Sequence, residues 1–420
     1  MRFAFVALLT AFSSAIPKSL AYTWGFPYES QKVRGVNLGG WLVLEPWITP
    51  SLFDNTGDSR IIDEYTFSQY QNRDVALNAL RQHWETWITE ADFQSIAAAG
   101  LNHVRLPIGY WAFEVSNGEP YIQGQIEYMN RALVWAQKYN IKVIIDLHGA
   151  PGSQNGFDNS GQKMDYPTWH TQQSNVNRTN EVIKQIANRF KDSTGIVPAI
   201  AALNEPAGFF GQDVIQVTKQ FWLDSYNNIR YPYSEDTTRT SNTVLIIHDA
   251  FQPTSSWNDF MPYPTYEGVI LDTHIYQVFS PNQVAWSEEQ HIQAVCNRAG
   301  DMTASGMWTV VGEWCPARTD CAKYLNGRGV GNRYEGTYPG STRVGSCAGF
   351  TGKASTFSTS YKAFLRRFWE AQTITYEKGS GWIQWTWKAE EADDWAYQAG
   401  LENGWIPWNP TERLHAGICG

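Results

Sequence analysis

Apolar residues in this chain gather in short, dense runs set between polar loops and longer stretches of helical spacing. The runs fall at residues 33–38, 103–108, 142–147, 196–203, 243–248, 268–274, 308–312 and 381–387. Each is too short for a core helix and most are rich in Val and Ile, so all eight read as buried strands. Between them, apolar positions three and four apart predict helices over 85–99, 126–139, 175–190, 214–230, 288–304 and 358–377. A shorter helical pattern, 255–261, fills the gap after the fifth run. Strands that alternate with helices call for a parallel sheet, and eight such units suit a closed (β/α)8 TIM barrel. The remaining length is then loop insertions. An open doubly wound sheet is the alternative, but no Gly-x-Gly-x-x-Gly follows the first run, so a dinucleotide site has no support.

No Ser-, Thr- or Pro-rich linker and no short repeat divides the chain, so residues 22–420 are expected to form one catalytic domain with no separate binding module. The first 21 residues differ in kind. Arg2 precedes the apolar stretch 3–12, and small residues follow up to Ala15 and Ala21. That order is a secretory signal peptide, cleaved after Ala21 or, alternatively, after Ala15. The stretch is too short to span a bilayer, and no other apolar run is longer. Five cysteines (Cys296, Cys315, Cys321, Cys347 and Cys419) fit an oxidising compartment, with one left unpaired by the odd count. Asn177-Arg178-Thr179 is a glycosylation sequon. The expectation is a secreted, extracellular protein, free or associated with a cell wall.

Charge narrows the partners. Formal net charge is −9, and loss of Arg2 and Lys18 with the leader takes it to −11. An acidic chain does not suit nucleic acid or an anionic membrane. Only 17% of residues are charged, while there are 20 Trp, 21 Tyr and 20 Phe, more rings than a core requires. Flat rings stack on the apolar faces of sugars, so a neutral carbohydrate is the fitting ligand.

In a parallel barrel the strand C-terminal ends converge on one face, which carries the chemistry. Glu205 closes the fourth run in Asn204-Glu205-Pro206, and Glu313 closes the seventh in Gly312-Glu313-Trp314. Two carboxyls meeting there are what glycosidic hydrolysis needs: one protonated to donate to the leaving oxygen, one ionised to attack the anomeric carbon. Other polar residues fall at the same ends. Arg105 can hold Glu313 ionised, and Tyr276 can donate to it. Asn204 offers an amide to a sugar hydroxyl, and Trp385 a floor beneath the ring. His148 and His274 each follow an Asp by two residues, but no His-Glu-x-x-His occurs, so hydrogen bonding is favoured over metal binding. No metal or organic cofactor is expected.

Taken together, these segments resemble glycoside hydrolase family 5, most of all its fungal exo-β-1,3-glucanase branch. The resemblance is carried by Arg34 to Trp47, Val104 to Phe113, Asp146 to Gly161, Asn204-Glu205-Pro206, His274 to Phe279, Gly312-Glu313-Trp314 and Trp385 to Glu390, in that order. It implies a barrel, a retaining mechanism, Glu205 as acid/base and Glu313 as nucleophile. It implies that Arg105, His148, Asn204, His274 and Tyr276 order the site above the Trp385 platform. Glu45, Asp158 and Asn159 would bind the terminal glucose, and Phe157 and Phe279 would clamp the next. It also implies disulfides Cys321–Cys347 and Cys296–Cys419, with Cys315 free. Trp47, Ile275 and Cys315 stand where the branch usually has Tyr, His and a small residue. The expected activity is release of glucose from the non-reducing ends of β-1,3-glucan by a monomer. Endo-β-1,6- or other β-glucanase or transglucosylase action, or a non-catalytic glucan-binding wall protein, are the alternatives.

Overall fold

The computed structural model of the protein describes residues 23–233 and 239–420. The leader assigned to 1–21 lies outside the described residues. Eight parallel strands pair in chain order, and the last returns to the first, closing a barrel. They are β1 Val33–Asn37, β2 His103–Gly109, β3 Lys142–Gly149, β4 Ala199–Ala201, β5 Val244–His248, β6 Val269–Ile275, β7 Trp308–Trp314 and β8 Gly381–Gln384. The expected (β/α)8 architecture is the one observed.

The two-residue period of each strand divides the core. Ile144, Ala199, Ala201, Val244, Ile246, Ile270, Val310 and Ile383 cluster together, filling the barrel interior. The alternate residues Val143, Ile145, Leu245, Ile247, Leu271, Val311 and Trp382 join the larger core beneath the helices. Both strand faces are therefore apolar, which is why the runs lack an in–out alternation. Phe26 and Tyr28 pack into the interior cluster, with the Phe26 ring 4.5 Å from that of His103. The polar end of the barrel is thus the opposite one, where the strands finish.

The surrounding helices are Glu90–Ala98, Gln125–Tyr139, Gln173–Phe190, Gln212–Arg230, Glu288–Cys296, Thr359–Tyr376 and Tyr397–Asn403. After β5 there is only the 3₁₀ turn Thr254–Trp257, where 255–261 was expected to be helical. The helix expected over 85–99 is two. Arg73–Thr86 ends, and a new helix starts at Glu90 because the Thr89 amide donates to Asp92 Oδ2 at 2.8 Å. The helix expected over 288–304 tightens into a 3₁₀ stretch after Cys296. The run 196–203 contributes only three residues to the ladder; the rest leads into the loop that carries Glu205. In the run 381–387 the strand stops at Gln384.

Two insertions build walls on the strand-end face. The first follows β1 and contains the helices Pro50–Asp54, Glu64–Gln69 and Arg73–Thr86. The second separates β7 from Thr359–Tyr376. It is closed by the disulfide Cys321–Cys347 and by buried Asp320, which accepts from the amides of Arg333 (2.7 Å) and Tyr334 (3.1 Å). Cys296–Cys419 ties down the C-terminus, and Cys315 is free and buried, as the resemblance implied. Among the described residues no helix is long and apolar enough to cross a membrane.

Candidate active site

On β3, β5 and β6 the interior face changes from apolar to polar near the strand's C-terminal end. On β3, Ile144 is followed two residues on by Asp146 and then His148; on β6, Ile270 is followed by Asp272 and His274. Period two aims all of these into the barrel mouth. Glu313 breaks the period, and the reason is local. The β6–β7 register shifts at Thr273/His274, so that His274 pairs with Glu313. The bulge turns Glu313 inward. A Cβ on Gly312 would lie 2.3 Å from the carboxylate oxygens of Asp272, whose Oδ1 accepts the Gly312 amide at 2.7 Å. Only glycine fits there.

Glu205 reaches the same space from the loop after β4. Its φ is +47°, a left-handed conformation that a residue before proline rarely adopts. Gln154 holds the loop. Its Nε2 donates to the carbonyls of Asn204 (2.9 Å) and His148 (2.8 Å), and its own carbonyl accepts the Ala207 amide at 3.1 Å.

One hydrogen-bond system joins the expected residues. Arg105 Nη1 donates to Glu313 Oε1 at 2.8 Å and to Asn37 Oδ1 at 2.9 Å. Arg105 Nη2 donates to Asn204 Oδ1 at 2.7 Å and pairs with Asp146 at 3.1 Å. The Tyr276 hydroxyl donates to Glu313 Oε2 at 3.0 Å. His274 Nδ1 lies 2.7 Å from Glu205 Oε1 and 3.5 Å from Glu313 Oε2. The nearest oxygens of the two carboxyls are therefore no farther apart than the sum of those contacts. That bound accommodates the ~5–5.5 Å between carboxyl groups of retaining pairs. His148 bonds Asp146 through Nδ1 at 2.6 Å, and its ring stacks with Trp385, centroids 5.5 Å apart and planes 11° from parallel.

Burial acts to raise both Glu205 and Glu313, and the cations oppose it. For Glu205 the hydrogen bond and charge of His274, then His148 and Arg105, outweigh burial and hold it below the usual range. Glu313 is pushed up by burial and by Glu205, against the pull of His274 and Arg105. His274 itself, despite burial, is held well above an ordinary imidazole by Glu313 and Asp272. The substrate-free site thus keeps its proton on His274, one short hydrogen bond from Glu205. Glu313 accepts bonds from a guanidinium and a phenol, neither of which can readily give up its proton.

These groups lie at the bottom of a cavity of about 630 Å³. Glu45, Asp158 and Asn159 line it, as do Phe157, Phe279 and Trp385. Glu45 Oε2 accepts the Trp47 indole N–H at 3.0 Å, but its Oε1 and Asp158 Oδ2 are buried without a partner. Burial pushes Glu45 well up and Asp158 to about 6. Both are buried carboxyls in want of hydrogen-bond partners, which sugar hydroxyls supply. Glu205, His248 and His274 also bring one potential ligand atom each within 4.8 Å of one another. His248 Nδ1, however, accepts the Ala250 amide at 3.0 Å. The neutral ring then carries its proton on Nε2, a donor rather than a metal ligand.

Comparison with known proteins agrees with this geometry. The family model for cellulase (glycosyl hydrolase family 5) matches residues 68–326, a span that holds both Glu205 and Glu313. A glucan 1,3-beta-glucosidase of Blumeria graminis is 47% identical over 94% of this chain and 91% of its own length. The chain belongs to glycosyl hydrolase family 5. Glucan 1,3-beta-glucosidase 2 of Wickerhamomyces anomalus is 45% identical over 93% of this chain and 91% of its own. The crystal structure of rutinosidase from Aspergillus niger shares the fold, with a TM-score of 0.68 at 20% identity over 91% of this chain and 99% of that one.

Within this family 5 site, sequence reasoning overlooked Asn37, Asp146 and Asp272 as working parts and did not see Gln154 or His248. Asp146 and Asp272 had a legible signal, since each lies two residues before a site histidine. Trp387 is core: fully buried, its indole donates to Asp92 at 2.9 Å. Asn177 is exposed on the helix Gln173–Phe190, while Thr179 of its sequon is buried, accepting the Trp169 indole at 3.0 Å.

Proposed function

We propose that the protein is a retaining exo-β-1,3-glucanase that removes glucose from the non-reducing ends of β-1,3-glucan. The observation that carries the mechanism is His274 Nδ1 lying on both Glu205 and Glu313, with Arg105 and Tyr276 donating to Glu313 and not to Glu205. The linkage rests on relatives named glucan 1,3-beta-glucosidase that match over nine-tenths of the chain.

In the first step Glu313 attacks the anomeric carbon, and the glycosidic oxygen leaves with a proton from Glu205. His274 is the source of that proton, passing it to Glu205 across the 2.7 Å bond once substrate excludes water, so that donation leaves Glu205 ionised and ready to act as base. As Glu313 becomes an ester its charge disappears, and so does the main reason for His274 to stay protonated. In the second step Glu205 takes a proton from water, which attacks the glycosyl-enzyme. Arg105 and Tyr276 stabilise Glu313 as it leaves. Glu45 and Asp158 hydrogen-bond hydroxyls of the terminal glucose on Trp385. The insertions after β1 and β7 wall in this inner end, which favours exo over endo action. Secretion after loss of 1–21 is supported by the two disulfides, and we infer action as a monomer.

The test is an early-time proton NMR spectrum of laminari-oligosaccharide digestion. Glucose appearing first as the β-anomer is the expected result. First appearance of the α-anomer overturns retention, and a ladder of shorter oligosaccharides without glucose overturns exo action.

A further inference from the structure

Among the described residues, every exposed phenylalanine stands at the mouth of this one cavity. Phe157, Phe210, Phe251 and Phe279 line it, and Phe209 packs against three of them. Single exposed apolar side chains are ordinary, but a contiguous patch marks a binding surface. Phe209 and Phe210 belong to the 3₁₀ turn Gly208–Phe210, just beyond the loop that carries Glu205. The Phe209 ring is 6.3 Å from that of Phe157, with planes 22° apart, and 5.3 Å from that of Phe251. Tyr166 meets the Phe210 ring at 5.0 Å.

The rings are held outward by construction. A Cβ on Gly208 would lie 2.4 Å from the Ala250 carbonyl oxygen, so the turn rests directly on the loop bearing Phe251. Ala250 and Phe251 both take left-handed φ angles, +51° and +60°, each costing about 1–3 kcal/mol. Two buried side chains enforce them: His248 Nδ1 accepts the Ala250 amide at 3.0 Å, and Asp249 Oδ1 the Phe251 amide at 2.8 Å. The strained backbone thus holds the Phe251 ring, against which Phe209 packs, out in solvent.

We propose that Phe209 and Phe210 form a platform for the glucosyl units on the reducing side of the scissile bond, beyond Phe157 and Phe279, and that this platform makes the enzyme select long β-glucan chains. The occupant follows from continuity with the pocket. The inner end is taken up by Glu45, Trp47 and Asp158, so the rest of a bound chain leaves through the mouth, past Phe157. Phe157 and Phe209 are nearly parallel, and their spacing is comparable to one sugar ring. Flat uncharged faces complement the apolar faces of a neutral sugar. The platform rests on the exo-glucanase reading for its occupant.

The test is kcat/KM on laminaribiose and on laminarihexaose for wild type and for the double variant F209A/F210A. For wild type the ratio of long to short substrate is well above one. In the double variant that ratio falls about tenfold, mostly through KM, whereas F209Y/F210Y, which keeps the flat faces, retains it. An unchanged ratio in the alanine variant overturns the platform. So does an equal loss on both substrates, which would make the turn mere support for the Glu205 loop. Loss of the ratio in the tyrosine variant overturns stacking as its basis. Wild-type inactivity on both substrates instead overturns the exo-glucanase reading, and with it the glucan as occupant.

Discussion

Glu313 receives bonds from Arg105 and Tyr276, and Arg105 is fixed independently of it. Arg105 is also held by Asn37, Asn204 and Asp146, so the guanidinium keeps its place whatever residue 313 becomes. Glu313→Gln is nearly isosteric and leaves this frame standing while removing the nucleophile. The expected result is a fall in kcat of at least ~10³-fold with little change in folding. Intact-mass measurement after incubation with a 2-fluoro-glucosyl donor checks the role directly. Wild type gains one fluoroglucosyl unit and Glu313→Gln gains none. A variant that still acquires the label would place the nucleophile elsewhere.

The β6–β7 bulge sets how Glu313 is presented, and it was not legible in the sequence. Gly312-Glu313 at a strand end was plain, because it closes the short apolar run 308–312. Why position 312 is glycine depends on Asp272, a residue on another strand that touches it only in the closed barrel. Phe209 and Phe210 were hidden for a similar reason: in a chain with this many rings, nothing local separates a rim aromatic from a core one. The split of 85–99 was signalled by Thr89-x-x-Asp92, but apolar spacing continues across it and masked the cap. Gly312→Ala tests the bulge. The new Cβ, 2.3 Å from the Asp272 oxygens, forces Asp272 away and breaks its bond to the 312 amide. Overpacking of this kind costs ~1–3 kcal/mol. Because the displaced strand carries Glu313, kcat should fall by ~10²-fold or more while KM changes little. Wild-type kcat in Gly312→Ala would show that the bulge does not position the nucleophile.

Across the whole molecule, many ionisable groups are buried, and their shifts set how stability depends on pH. Burial raises Glu64 to about 7, Asp249 to about 7 and Asp394 to about 8. Unfolded, such groups titrate near ~4. Between those limits the folded protein holds protons that the unfolded chain has released, so the stability they contribute is lost as pH rises through 7 and 8. His274, held protonated by its carboxylates, adds to that loss above its unfolded value near ~6.5. Other histidines work the opposite way. Burial lowers His83 to about 4 and His103 and His291 to about 3. The unfolded chain binds protons at these three from ~6.5 downward while the folded protein does not, so they remove stability as pH falls. Above ~6.5 the two sets no longer oppose each other, because these histidines are neutral in both states and only the carboxyls and His274 still titrate. Stability should therefore peak near about pH 6 and decline by roughly 2–5 kcal/mol towards pH 8. Thermal midpoints at matched ionic strength check this, with a midpoint at pH 8 several degrees below that at pH 6. Asp394→Asn should flatten the last part of the decline, since that group is raised furthest of the three and is still mostly protonated at pH 7. A midpoint that is constant or rises from pH 6 to 8 would mean that these carboxyls are ionised in the folded protein, and that water or a cation reaches them.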